Sequence, residues 1–163
     1  MSVTKSNIGA TIFVITNTPP TNDETGFEGL TFAANTEIKG MVQGPQFGFT
    51  HNMIDIPDLQ SGQGRAVKGM SQGMDTQMAF RIVPSDTGQA SAKTIADSPQ
   101  GICSLKLVFG TGVGGAVQPG DRVQYAQGIL HSYQENQISG DTYQGFTVSF
   151  RQNEPAVESV EPA

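Results

Sequence analysis

The chain has 163 residues and a formal charge of −6, with 20 Gly, only 15% charged residues and a single cysteine, Cys103. A domain of this length buries roughly two thirds of its unfolded surface, so a core needs neither metal nor disulfide. The acidic balance argues against a protein that grips nucleic acid, which would use cations to displace condensed counterions. No apolar run approaches the ~20 residues of a membrane-spanning helix, and the N-terminus lacks an apolar signal segment, which predicts a protein made in a reducing cytoplasm.

Thr11–Thr16 is β-branched and aromatic and predicts a strand. The Pro19-Pro20 region then breaks regular structure. Residues 37–41 and 46–56 predict two more strands; Ile54-Asp55-Ile56 alternates as a half-buried strand would, and Pro57 stops the ladder. Residues 58–75 hold Gly62, Gly64, Gly69 and Gly73 among Gln and Ser, and predict a long extended loop. Thr76–Val83 alternates, with Met78, Phe80 and Ile82 on one face and Gln77, Ala79 and Arg81 on the other. Asp86 and Gln89 have capping-box spacing and open one short helix running to Asp97, closed before Pro99. Cys103–Phe109 predicts a strand with Leu105, Leu107 and Phe109 inward and Ser104, Lys106 and Val108 outward. Arg122–Tyr133 and Tyr143–Arg151 predict a hairpin. Residues 154–163 carry Glu154, Glu158 and Glu161 without a base and predict a flexible acidic tail, leaving 1–153 as the folded domain. The sum is a mainly β chain: a two-sheet β-sandwich or barrel with one flanking short α-helix and a long extended loop.

Catalytic motifs fail on context. Gly110–Gly115 satisfies G-x-G-x-x-G, and Glu135 follows at a distance suited to a ribose-binding acid. A dinucleotide site needs a helix directly after the glycines to hold the pyrophosphate; here Pro119-Gly120 leads into another strand, so a flexible hairpin connection is the simpler reading. His51 and His131 have no partner at metal-ligand spacing, Cys103 reads as a small core residue, and no Gly-x-Ser-x-Gly elbow occurs. The acids are scattered, with no pair suggesting general acid and base. The absence of Trp and the count of 3 Tyr argue against a sugar-binding platform. No catalytic residue, cofactor or metal is expected.

Short pieces in a fixed order carry a resemblance. They are Gly9–Val14, Thr18–Thr21, Gly26–Phe32, Glu37–Val42, Gly44–Gly48 and Asn52–Leu59, then Lys68-Gly69-Met70 and Gly73, then Gly120-Asp121, Gly128 and Phe146–Val148. Across residues 8–152 the chain resembles the major tail tube proteins of long-tailed, non-contractile (siphovirus-like) phages and gene transfer agents. Phe32 stands where that pattern has tryptophan. The resemblance implies a non-enzymatic virion subunit, built in the host bacterial cytoplasm, that self-assembles into stacked hexameric rings. Those rings would enclose a channel that DNA crosses without tight binding and without a membrane partner. Tape-measure, tail terminator and baseplate or tail-tip proteins are the implied partners. Arg65, Lys68, Gly69, Met70 and Gly73 would then lie in the loop that reaches the next ring. Glu37, Asp55 and Asp75 are candidate channel-lining acids, or else ordinary solvent-facing ones. Two alternatives stand beside this reading: the tube protein of a contractile injection or type VI secretion machine, and a non-catalytic β-sandwich binding module.

Overall fold

The computed structural model describes residues 7–110 and 117–162. The Gly110–Gly115 motif therefore lies, from Thr111 on, outside the described residues. The elements in chain order are β1 (Thr11–Ile15), α1 (Glu24–Glu28), a 3₁₀ turn (Ala34–Thr36), β2 (Met41–Gln43), β3 (Phe49–Ile56), β4 (Arg65–Gly73), β5 (Asp75–Arg81), α2 (Thr87–Asp97), β6 (Ile102–Val108), β7 (Arg122–Glu135), β8 (Gly145–Gln152) and β9 (Val157–Val160). The fold is mainly β with two sheets and few helices, as the sequence predicts. A seven-stranded antiparallel sheet has the order β1-β6-β7-β8-β5-β2, with β9 also on β7, and β3–β4 forms a second, two-stranded sheet.

The large sheet curls towards closure. Residues 37–38 pair with β1, through Ile38 N–H to Ile12 O at 2.8 Å, while β2 pairs with β5 on the far edge. Gly40 is the pivot between these contacts, at φ +79°, where a Cβ would stand 2.6 Å from Arg81 O. Where the closure fails, a cleft of about 710 Å³ opens between Ala10, Leu107 and Phe109 on one side and Met41, Val42 and Pro45 on the other.

Both faces of the sheet are covered. Inside the curl, Ile12, Val14, Met78, Phe80, Leu105, Leu130, Phe146, Val148 and Phe150 pack under Ala92 and Ile95 of α2. On the other face, Phe13, Val108, Val123 and Tyr125 pack with Phe27 of α1, whose ring stacks on Tyr125 at 5.2 Å. The outward face expected for β6 is therefore buried as well. Ser104 donates to Asn17 O at 2.7 Å, and Lys106 pairs with Glu161 at 2.8 Å beneath the rings of Phe13 and Phe32. The lid is built from α1 and the C-terminal segment, which period-2 patterning within one strand cannot reveal.

Within the segment expected to be a flexible acidic tail, four residues instead join the sheet. Val157–Val160 is β9, antiparallel to Arg122–Tyr125, with Glu158 on Arg122 and Ser159 on Glu24. The capping signal for α2 holds: Asp86 Oδ2 accepts from Gln89 N–H at 3.1 Å. The Gln89 side chain does not return to the cap as a full capping box would. It is buried, donates to Lys39 O and Arg81 O at 2.7 and 2.8 Å, and accepts from Val83 N–H at 3.1 Å, tying α2 to the β2 and β5 ends.

Candidate assembly interface at the projecting hairpin

The sequence from Phe49 to Gly73 folds back on itself. Ile56 faces Arg65, Ile54 faces Val67, Met53 faces Lys68 and Phe49 faces Gly73. The segment read as a long loop is therefore a turn of 57–64 followed by strand β4. Pro57 does end β3. Asp58 then shapes the turn: its carboxylate accepts from the Ser61 hydroxyl at 2.8 Å and from the Gln60 and Ser61 amides, and Gly62 takes φ +70°. The Ser61 hydroxyl, then the Ser61 and Gln60 amides, hold the Asp58 carboxyl below its ordinary range.

All five residues expected to reach a neighbouring ring lie on β4. Arg65 shares a face with Ile54, Ile56 and Val67; Lys68 shares the other with Met53 and Asp55. Between His51 and Met53 the register slips, so Gly69 and Met70 together oppose Asn52 as a bulge. A Cβ on Gly69 would stand 2.9 Å from Asn52 O, and Met70 is 75% exposed beside it. Gly73 marks the root, where a Cβ would meet Gln152 O at 2.0 Å.

That root is rigidly built. Gln152 is buried, and its Oε1 accepts from Gly48 N–H at 2.6 Å. Met74 N–H donates to Gly48 O at 3.1 Å, Gln46 N–H donates to Thr76 Oγ1 at 2.8 Å, and Phe47 packs edge-on to Phe150. Only Met74 separates β4 from β5, so residues 65–81 run as one nearly continuous strand from the hairpin into the sheet. Beyond the root the hairpin is exposed on both faces, and Met53, Ile54, Ile56, Leu59, Val67 and Met70 all meet solvent. A lone two-stranded hairpin is marginal in water, and clustered exposed apolar side chains mark interaction surfaces.

The three candidate channel acids stand on separate elements. Glu37 bridges to Phe13 beside β1, Asp55 faces Ala66 on the hairpin, and Asp75 opens β5. Asp75 is compensated: His131 Nε2 lies 3.0 Å and Arg151 Nη1 3.8 Å from its oxygens. Neither His131 nor Arg151 was foreseen beside it, because Arg151 lies across one strand pairing and His131 two strands away from β5. His131 also contacts the Ser132 hydroxyl at 2.7 Å, and Ser132 sits at φ +57° where the β7–β8 register slips.

The opposite end of the sheet carries a second feature. The β7–β8 connection, residues 136–144, rises beside the end of β5, with Ile82 N–H donating to Gln144 O at 2.9 Å. Ile82, Glu135, Ile138 and Tyr143 line a concavity of about 540 Å³ there.

No protein-family description and no curated protein matches this sequence. Solved structures do match it in fold. One chain of the anti-feeding prophage (AFP) baseplate, a 6-fold symmetrised structure, aligns over 99% of this chain and 98% of its own with TM-score 0.65 at 5% identity. A chain of the PVC sheath/tube terminator of an extracellular contractile injection system aligns over 97% and 98% with TM-score 0.60 at 7% identity. A chain of the PVC sheath-tube complex in its extended state aligns over 93% and 88% with TM-score 0.58 at 8% identity. Over nearly its whole length the chain thus shares its overall fold with components of the sheath-tube, terminator and baseplate assemblies of such injection particles.

Proposed function

We propose that this chain is a non-enzymatic subunit of a phage-type injection particle, self-assembling into stacked six-membered rings that enclose a channel. The observation that carries the reading is the β3–β4 hairpin, rooted by Gln152 and exposing apolar side chains on both faces. Such a surface suits burial against other copies. The fold neighbours, including one from a 6-fold symmetrised assembly, support a tube-type role and favour a contractile particle over a non-contractile phage tail. Arg65, Lys68, Gly69, Met70 and Gly73 are the proposed inter-ring contacts, and Glu37, Asp55 and Asp75 the proposed channel acids. Terminator and baseplate proteins would meet the two ends of the stack, with a tape-measure protein and then DNA or another cargo in the bore.

The test replaces residues 51–71, closed by the Thr50–Gln72 pairing, with a two-residue turn. Wild-type protein concentrated for negative-stain microscopy should give rings or tubes. The excised variant should keep its circular dichroism and remain a monomer. A wild-type sample that stays monomeric at every concentration, or an excised variant that still builds long tubes, overturns the reading. The non-contractile alternative shares this assembly and differs in having no sheath; failure to bind a sheath protein encoded alongside it would favour that alternative.

A further inference from the structure

The lid over the second sheet face is made of two segments far apart in sequence. Residues 22–32 carry α1, and residues 153–161 carry β9. Each holds the other. Asn22 Nδ2 donates to Pro155 O at 3.0 Å, and the Ser159 hydroxyl donates to Glu24 Oε1 at 2.7 Å. Gln127 Nε2 donates to Asn22 Oδ1 at 3.0 Å, which fixes that junction on β7. Val157 packs on the same apolar cluster as Phe27 and Phe32, and no residue of that cluster belongs to the core beneath α2.

Lys106 stands under both segments. It is only 9% exposed, and among the described residues its one ion-pair partner is Glu161, at 2.8 Å. The rings of Phe13 and Phe32 lie 5.6 and 5.9 Å from its ammonium. If β9 lifts, Glu161 leaves with it, and a buried cation without its carboxylate is strongly unfavourable. Water then reaches that ammonium by displacing Phe32, which belongs to the α1 segment. We infer that the α1 segment and β9 open as one cooperative unit, latched by Lys106 and Glu161, while the rest of the sheet and the core under α2 stay closed. Opening bares the Arg122–Tyr125 edge of β7 together with the Tyr125 ring that Phe27 covers. The fold thus keeps a strand edge and an apolar face shut behind a single latch.

Native-state hydrogen exchange tests the coupling. The Phe27 and Leu30 amides, bonded to Asp23 O and Phe27 O, report the α1 segment, and the Glu161 amide, bonded to Asp121 O, reports the strap. In Glu161→Gln all three should exchange faster by at least about tenfold, with the β5 and β8 amides unchanged. Phe27 and Leu30 amides that keep their wild-type rates, or an equal acceleration in β5 and β8, overturn the inference. A second variant works in the opposite direction. Gln124 and Glu158 face each other across β7 and β9 in a non-hydrogen-bonded pair, close enough for a disulfide. Cys103 is buried and its thiol is pushed up to about 12, chiefly by burial, so it stays silent under mild oxidation. In the double variant Gln124→Cys, Glu158→Cys, oxidation should slow exchange at Phe27 and Leu30 as well as in β9, and reduction should reverse it. Slowing confined to β9 would show that the two segments open independently.

Discussion

Gln152 sits where the chain leaves the sheet. Its carbonyl oxygen lies where a Cβ on Gly73 would have to be, and its amide holds Gly48 on the other arm of the hairpin. Gly73→Ala forces backbone to move at this crossing. It should lower stability by ~1–3 kcal/mol in chemical denaturation and loosen the hairpin's orientation. At the far end of the hairpin, Asp58 makes a pH prediction. Its folded pKa is lowered, first by the Ser61 hydroxyl and then by the Ser61 and Gln60 amides. The stabilisation is therefore complete above the ordinary carboxyl value of about 4 and is lost as pH falls through the lower folded value. The Gln60 and Ser61 amide resonances should shift in that acidic window and stay constant from pH 5 to 8; constancy down to pH 2 would remove the assignment. Residues whose partners are near in sequence were legible at this scale. Asp86 announced its cap because its acceptor is three residues on. Gln152, His131 and Arg151 gave no signal, since their partners lie 104, 56 and 76 positions away.

At the scale of elements, α2 is held by one side chain more than by its cap. Gln89 satisfies two carbonyls and one amide from two chain segments, at residue 39 and at residues 81–83. Gln89→Leu fills the space and orphans all three groups, so it should cost about 2–4 kcal/mol in urea denaturation. Asp86→Ala should cost about 1 kcal/mol, the usual value of a lost cap. If the two substitutions prove equal, Gln89 is not the main tie. Strands packed on one face were readable: β5 shows Thr76, Met78 and Phe80 buried in alternation. The strands missed are those whose environment breaks the period. β4 is exposed on nearly every residue, so its Gly, Gln and Ser resemble a loop. β9 has only Val157 and Val160 as apolar residues amid acids, and its pairing with β7 is a long-range event. α1 has five residues, too few for a helical stripe, and Asp23 accepting from Gly26 N–H was its one local sign.

The whole molecule is polar in the geometric sense, with a protrusion at one pole and a concavity at the other. Its weakly charged surface fits a protein enclosed by its own copies. Binding that occurs only between folded copies stabilises them by mass action, so the melting temperature should rise with protein concentration above the assembly threshold. The hairpin-excised variant should melt at one temperature across the same range; a rise equal to wild type would place the self-association elsewhere. The general architecture could be read from the chain because its core strands are regular. That residues 65–73 form a strand could not, because a segment exposed on nearly every residue shows no alternation of buried and exposed positions.

The single run from Arg65 to Arg81 also decides how a stack of these subunits, if they assemble as proposed, would bear force. A thrust on the hairpin tip is delivered along the axis of β5, whose hydrogen bonds to β8 lie perpendicular to that axis and register from Asp75–Arg151 to Arg81–Gly145. The bonds are then sheared together rather than peeled one after another. A stack of such subunits, on the proposed reading, would be stiff in compression along that axis.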